Sequence, residues 1–97
     1  MGTYIALGTF TDQGLKTMKE TTARADLARE SAGRFGVKMR DIFWTQGQYD
    51  LVTLLEAQDE TAVSAFGLAV AAAGNVRFQT LRALTRDEMN AVLQKLP

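Results

Sequence analysis

Apolar positions alternate from Thr3 to Phe10, with Tyr4, Ala6 and Phe10 on one side and Ile5 and Leu7 on the other. That is the two-residue period of a strand. Thr11-Asp12-Gln13-Gly14 then carries a helix-entry signal, with Thr11 or Asp12 as N-cap. Thr21-Thr22 offers a second cap, where the helix breaks or restarts. Ala25, Ala28, Ala32 and Phe35 recur at helical spacing, and Gly36 suits a left-handed stop. Two β-rich runs follow, Met39–Trp44 and Tyr49–Leu55, meeting at Gly47. They predict a hairpin from Val37 to Glu56, closed by a type II′ turn at Gly47-Gln48. The implied register sets Thr45 against Asp50, Trp44 against Leu51, Phe43 against Val52 and Ile42 against Thr53. Asp59 caps a second helix with a stripe of Val63, Phe66, Val70 and Ala73. Its glycine and alanines predict close packing on a sheet. Gly74-Asn75 ends it, and Val76 to Leu84 reads as a fourth strand. Thr85-Arg86-Asp87-Glu88 is a capping box that opens a last helix. Met89, Val92, Leu93 and Leu96 give that helix one apolar face.

The predicted order is β-α-β-β-α-β followed by α, the ferredoxin-like α+β arrangement in one domain spanning residues 1–97. Right-handed crossovers put both main helices on one face of the four-stranded antiparallel sheet. The strands are apolar on both sides, so the second face needs a cover. The last helix is expected to shield part of it. Another copy of the chain is expected to shield the rest, as a homodimer or higher homo-oligomer built sheet to sheet.

Composition narrows the chemistry. Eleven basic and eleven acidic residues balance, so no field draws in nucleic acid or an anionic membrane, and neither is expected as a partner. Cysteine and histidine are both absent, which removes disulfides, thiolate nucleophiles and the commonest metal ligand and general base. No metal and no cofactor are expected. Met1 to Phe10 lacks the basic start and long apolar run of a signal peptide. A cytoplasmic protein is the expectation.

The chain resembles the GYD domain family. The residues that carry the likeness are Tyr4-Ile5 with Gly8, Phe10-Thr11-Asp12-Gln13-Gly14, Trp44-Thr45, Gly47 with Tyr49-Asp50, Gly74-Asn75-Val76-Arg77, and Thr80-Leu81-Arg82-Ala83. The resemblance implies a ferredoxin-like domain of the sort that pairs into α/β-barrel dimers. It implies no particular activity.

Asp50 is the residue to watch. A carboxylate in a strand among apolar neighbours suits an acid/base role. It equally suits accepting hydrogen bonds from Thr45 and turn amides. Tyr49 can donate to a ligand or anchor the turn, and Trp44 can stack on a planar ligand or pack in a core or dimer. Arg77 and Arg82 fall on opposite faces of the last strand, where either could clamp an anion. The reading that follows is a module binding a small, partly apolar ligand between sheet and helices, with Tyr4, Trp44, Tyr49, Asp50 and Arg77 as ligand-binding candidates. The alternatives are a cofactor-independent enzyme with Asp50 as catalytic acid or base, and a purely structural or regulatory oligomer.

Overall fold

The computed structural model describes residues 1–97. The chain runs β1 (Gly2–Phe10), α1 (Asp12–Lys16), a 3-10 turn (Met18–Glu20) and α2 (Thr21–Ala32). A second 3-10 turn (Gly33–Phe35) leads to β2 (Val37–Trp44), β3 (Leu51–Ala57), α3 (Glu60–Ala72), β4 (Val76–Ala83) and α4 (Arg86–Leu93). The strands make one antiparallel sheet in the order β2-β3-β1-β4. This is the expected ferredoxin-like α+β fold with an additional C-terminal helix.

Local chemistry explains the helix boundaries. Thr11 is extended, and its hydroxyl accepts from the Gly14 N–H at 3.1 Å, which starts α1. The break before α2 falls where the threonine pair stands, yet neither threonine caps it. Glu20 occupies the N-cap position without a side-chain bond. Arg24 instead reaches back from α2 to the Thr17 carbonyl (2.9 Å) and hydroxyl (2.7 Å), so a side chain satisfies the end of α1. Gly36, with φ of 73°, lets the chain leave the second 3-10 turn for β2.

The β2–β3 register is the expected one, with Ile42 opposite Thr53, Phe43 opposite Val52 and Trp44 opposite Leu51. The turn is not. A two-residue turn needs the Tyr49 N–H on the Gln46 carbonyl, and that bond is not made. The last rung is Thr45 N–H to the Asp50 carbonyl at 2.8 Å, while the Thr45 hydroxyl donates to the Tyr49 carbonyl at 2.6 Å. The Asp50 N–H is drawn to the Gly8 carbonyl in β1, also at 2.8 Å. These competing partners hold the tip open as a wider loop, although Gly47 keeps a positive φ of 117°. β2 also carries a bulge between Met39 and Asp41. The extra residue turns both Met39 and Ile42 toward the helices, and Arg40 lies 3.3 Å from Glu56.

One face of the sheet is covered. Tyr4, Ala6, Val37, Met39, Leu55 and Ala57 meet Ala32 of α2 and Val63 and Phe66 of α3 in a small core. The Phe35 and Phe66 rings lie 6.0 Å apart, centroid to centroid. The opposite face carries Ile5 and Leu7 of β1, Val52 and Leu54 of β3, Phe43 of β2 and Leu81 of β4, bordered by Lys38, Asp41, Glu56, Arg77 and Gln79, with Phe43 59% exposed. No helix lies over it. Contrary to expectation, α4 does not shield this face: Met89, Val92, Leu93 and Leu96 are all exposed. The reason is the Arg82 side chain. Arg82 stands opposite Tyr4, on the helix side of the sheet, and its guanidinium sits 5.4 Å from the Tyr4 ring centre. From there it bonds Glu88 at 2.7 Å, and so draws the first turn of α4 away from the open face. Leu84, expected at the end of β4, lies past the strand and is exposed.

Candidate functional site

Two features of this frame could carry function: a cavity over the sheet and a polar clasp at one end of it. The cavity comes from side-chain size. Ala25 and Ala28 of α2, Gly67 of α3 with Ala73 just past its end, and Ala6 of β1 are too small to meet across the layer, so the helices stand apart above the strands. The small residues of α3 thus leave space unfilled; they do not bring the helix closer. The space measures about 360 Å³ and extends from the core toward the hairpin tip. Its floor includes Ile42, Leu51 and Thr53. Thr53, at 4% exposure, is the buried polar side chain of the chain, and with Thr80 of β4 it adds a hydroxyl to a mostly apolar floor. Trp44 stands at the mouth, 40% exposed, with its indole N–H donating to the Thr21 hydroxyl of α2 at 3.0 Å. That bond ties the end of β2 to the start of α2 across the opening.

The clasp is built of backbone partners. The Thr11 N–H donates to the Asn75 carbonyl at 3.1 Å, and its hydroxyl donates to the Gly74 carbonyl. The Gln13 amide reaches the Ala73 carbonyl and the Asn75 side chain, each at 3.0 Å. Gly14 lies so close to the Asn75 carbonyl that a Cβ there would collide with it. Asp50 completes the same end: one carboxylate oxygen accepts from the Phe10 N–H at 2.9 Å. The end of β1, the loop into β4 and the hairpin tip are thereby joined.

The sequence candidates separate in space. Trp44 lines the cavity; Tyr4, Tyr49, Asp50 and Arg77 do not. Tyr4 is buried beneath Arg82, where burial first and then neighbouring Glu60 raise its phenol above the usual range. Tyr49 crosses to β4, its hydroxyl 2.8 Å from the Gln79 side-chain oxygen. Arg77 is exposed and lies opposite Thr9 on the open face. The sequence reading missed Thr21, Thr53 and the alanines of α2 as cavity residues. Their signal was present in Ala25 and Ala28, which are small side chains at positions where a tightly packed helix would carry large ones. No three carboxylates converge into a metal-binding group, and no helix is long and apolar enough to cross a membrane.

A family model described as the GYD domain matches residues 4–93. The chain belongs to the GYD domain family. Three residues each hold a joint in this GYD domain: Gly47 supplies the positive φ of the tip, Tyr49 braces β4, and Asp50 caps the end of β1. A relative from Thermus thermophilus is 33% identical over 95 residues, covering 97% of this chain and 100% of its own. It is described as a glutamine synthetase and cystathionine beta-lyase binding protein. Two solved structures share the fold. The Mycobacterium tuberculosis leucine response regulatory protein LrpA has a TM-score of 0.66 at 15% identity, covering 87% of this chain and 51% of that one. The structure of FFRP-DM1 has a TM-score of 0.60 at 14% identity, covering 87% of this chain and all of its own.

Proposed function

We propose that this GYD domain is a homo-oligomeric binding module that holds a small, largely apolar ligand between α2, α3 and the sheet. The carrying observation is the cavity. At about 360 Å³ it falls in the size range of small-molecule sites, roughly 300–1,000 Å³, which are apolar with a few placed polar groups. Thr53 on the floor supplies such a group, and the Trp44–Thr21 bond supplies a closure. An enzyme using Asp50, with Tyr49 or Arg77 assisting, needs a carboxylate that faces substrate. Asp50 holds the Phe10 N–H and does not line the cavity, which favours the binding reading.

The test is a titration with a small aromatic, amphiphilic fluorophore, 1-anilinonaphthalene-8-sulfonate, followed by its own emission and by that of Trp44, the single tryptophan. One probe is expected per chain, with Trp44 emission changing in step. Ala28→Phe, which fills the cavity, is expected to abolish that site while the melting temperature holds or rises. Binding unaltered by Ala28→Phe would remove the cavity as the site.

A second reading has its own support. The relative from Thermus thermophilus is described as binding two enzymes, and this chain matches it from end to end at 33% identity. On that reading the domain docks on partner enzymes of the same kind. Pull-down with glutamine synthetase and cystathionine beta-lyase from its own host tests it, and recovery of neither argues against it.

A further inference from the structure

We infer that α4 is an exchanged arm: in the assembled protein each copy lays its α4 stripe on the other copy, next to paired open sheet faces. This rests on the reading that the chain self-associates, and adds which segment makes the assembly hold. Three observations lead to it.

The first is that α4 is built to pack and has nothing to pack on. Met89, Val92 and Leu93 fall on one side at i, i+3 and i+4, with Leu96 just past the helix end, yet Leu93 is 48% exposed and the others are open too. An isolated helix of this length is marginal in water and owes its persistence to packing of its apolar face. Its first turn is nonetheless fully specified. The Thr85 hydroxyl accepts from the Glu88 N–H at 3.2 Å, and the Glu88 carboxylate accepts from the Thr85 N–H at 2.9 Å. A helix with both its cap and its apolar face in place lacks only a surface to lie on.

The second is that the surface cannot come from its own sheet. Leu84 and Thr85 are the whole connection from β4, and Arg82 holds Glu88 from the helix side. The open apolar face lies on the other side of the strands. The pin therefore aims α4 past the edge of its own subunit, in keeping with a longest dimension of 52 Å against 31 and 18 Å for the others.

The third is area. Four strands spaced ~4.8 Å apart and some eight residues long, at ~3.3 Å each, present a face of about 500 Å². A standard stable interface takes about 800 Å² from each partner. The apolar part of the open face is confined to a patch bordered by Lys38, Asp41, Glu56 and Arg77, and the α4 stripe is a further apolar surface continuous with β4. A second copy supplies an open face to cover this one and, at the same edge, a surface on which the arm can lie. The two-fold symmetry of such a pair makes the exchange reciprocal.

The experiment is sedimentation equilibrium on the full chain and on two variants. Met89→Glu/Leu93→Glu charges the stripe at positions exposed in a single subunit, so it leaves the fold intact, as far-UV circular dichroism checks. Ala91→Glu places one such charge on the far side of the same helix. The full chain and Ala91→Glu are expected to be dimers of similar affinity, with the stripe variant weakened at least 100-fold and its spectrum retained. A stripe variant that dimerises as tightly as the full chain overturns the exchange and leaves self-association standing. Equal loss in Ala91→Glu overturns it too, because the effect is then on the helix and not on the stripe. A monomeric full chain overturns both.

Discussion

At the scale of residues, substitutions at two positions test the structural roles of the polar clasp. The Asp50 carboxylate accepts the Phe10 N–H. Asp50→Ala leaves that amide without its partner at a half-buried place, which costs about 1–3 kcal/mol. Asp50→Asn keeps an acceptor of nearly the same shape and is expected to cost less. Urea unfolding measures both, and fluorophore binding in the cavity should not change in either. Gly14→Ala drives a methyl into the Asn75 carbonyl, a backbone atom that cannot swing aside. Overpacking of that sort costs ~1–3 kcal/mol, and the same unfolding curves read it. If Gly14→Ala is as stable as the parent, the clasp is looser than its geometry indicates.

At the scale of elements, α4 has an electrostatic lock at its entrance. Hydrogen bonding from the Thr85 N–H, then from Arg82, lowers the Glu88 carboxyl from 4.5 to about 2. A depressed carboxyl contributes stability that is complete above pH 4.5 and is lost as pH falls through about 2. The first turn of α4 should therefore persist at pH 4 and fray toward pH 2. Glu88→Gln should remove the pH dependence and loosen that turn already at neutral pH. Amide exchange at Thr85 and Glu88 checks both, and fraying centred near 4.5 would show that the carboxyl is not held. The same element marks where sequence reading succeeded and failed. The capping box and the stripe of α4 were visible as spacing, because both are local. Its direction was not, because that depends on Arg82 meeting Tyr4 and Glu88 across strands. The Arg40 bulge was half visible: apolar positions step by two to Met39 and then by three to Ile42.

At the scale of the molecule, the hairpin register followed from a turn placed at Gly47-Gln48, and it holds in the strands although the tip is wider, since a one-residue slip would turn every β3 side chain to the wrong face. The cavity did not follow. An alanine signals only that something is near or that nothing is, and Ala28 and Ala32 show the two outcomes one helical turn apart. Ala32 is fully buried in the core, whereas Ala28 borders the open space. The open face makes its own prediction. If a second copy covers it, the melting temperature rises with protein concentration, because association stabilises by mass action. A melting temperature constant over a hundred-fold dilution series would argue against such a pair.

The hairpin tip touches both sides of the sheet within a few residues: Trp44 bars the space under the helices, and Tyr49 grips β4 through Gln79. A molecule that lifts the indole to enter tugs on the same loop that shapes the outer surface. If the cavity is occupied and the outer face paired as proposed, the two share one lever, and thermodynamic reciprocity then requires each to alter the affinity of the other by the same factor.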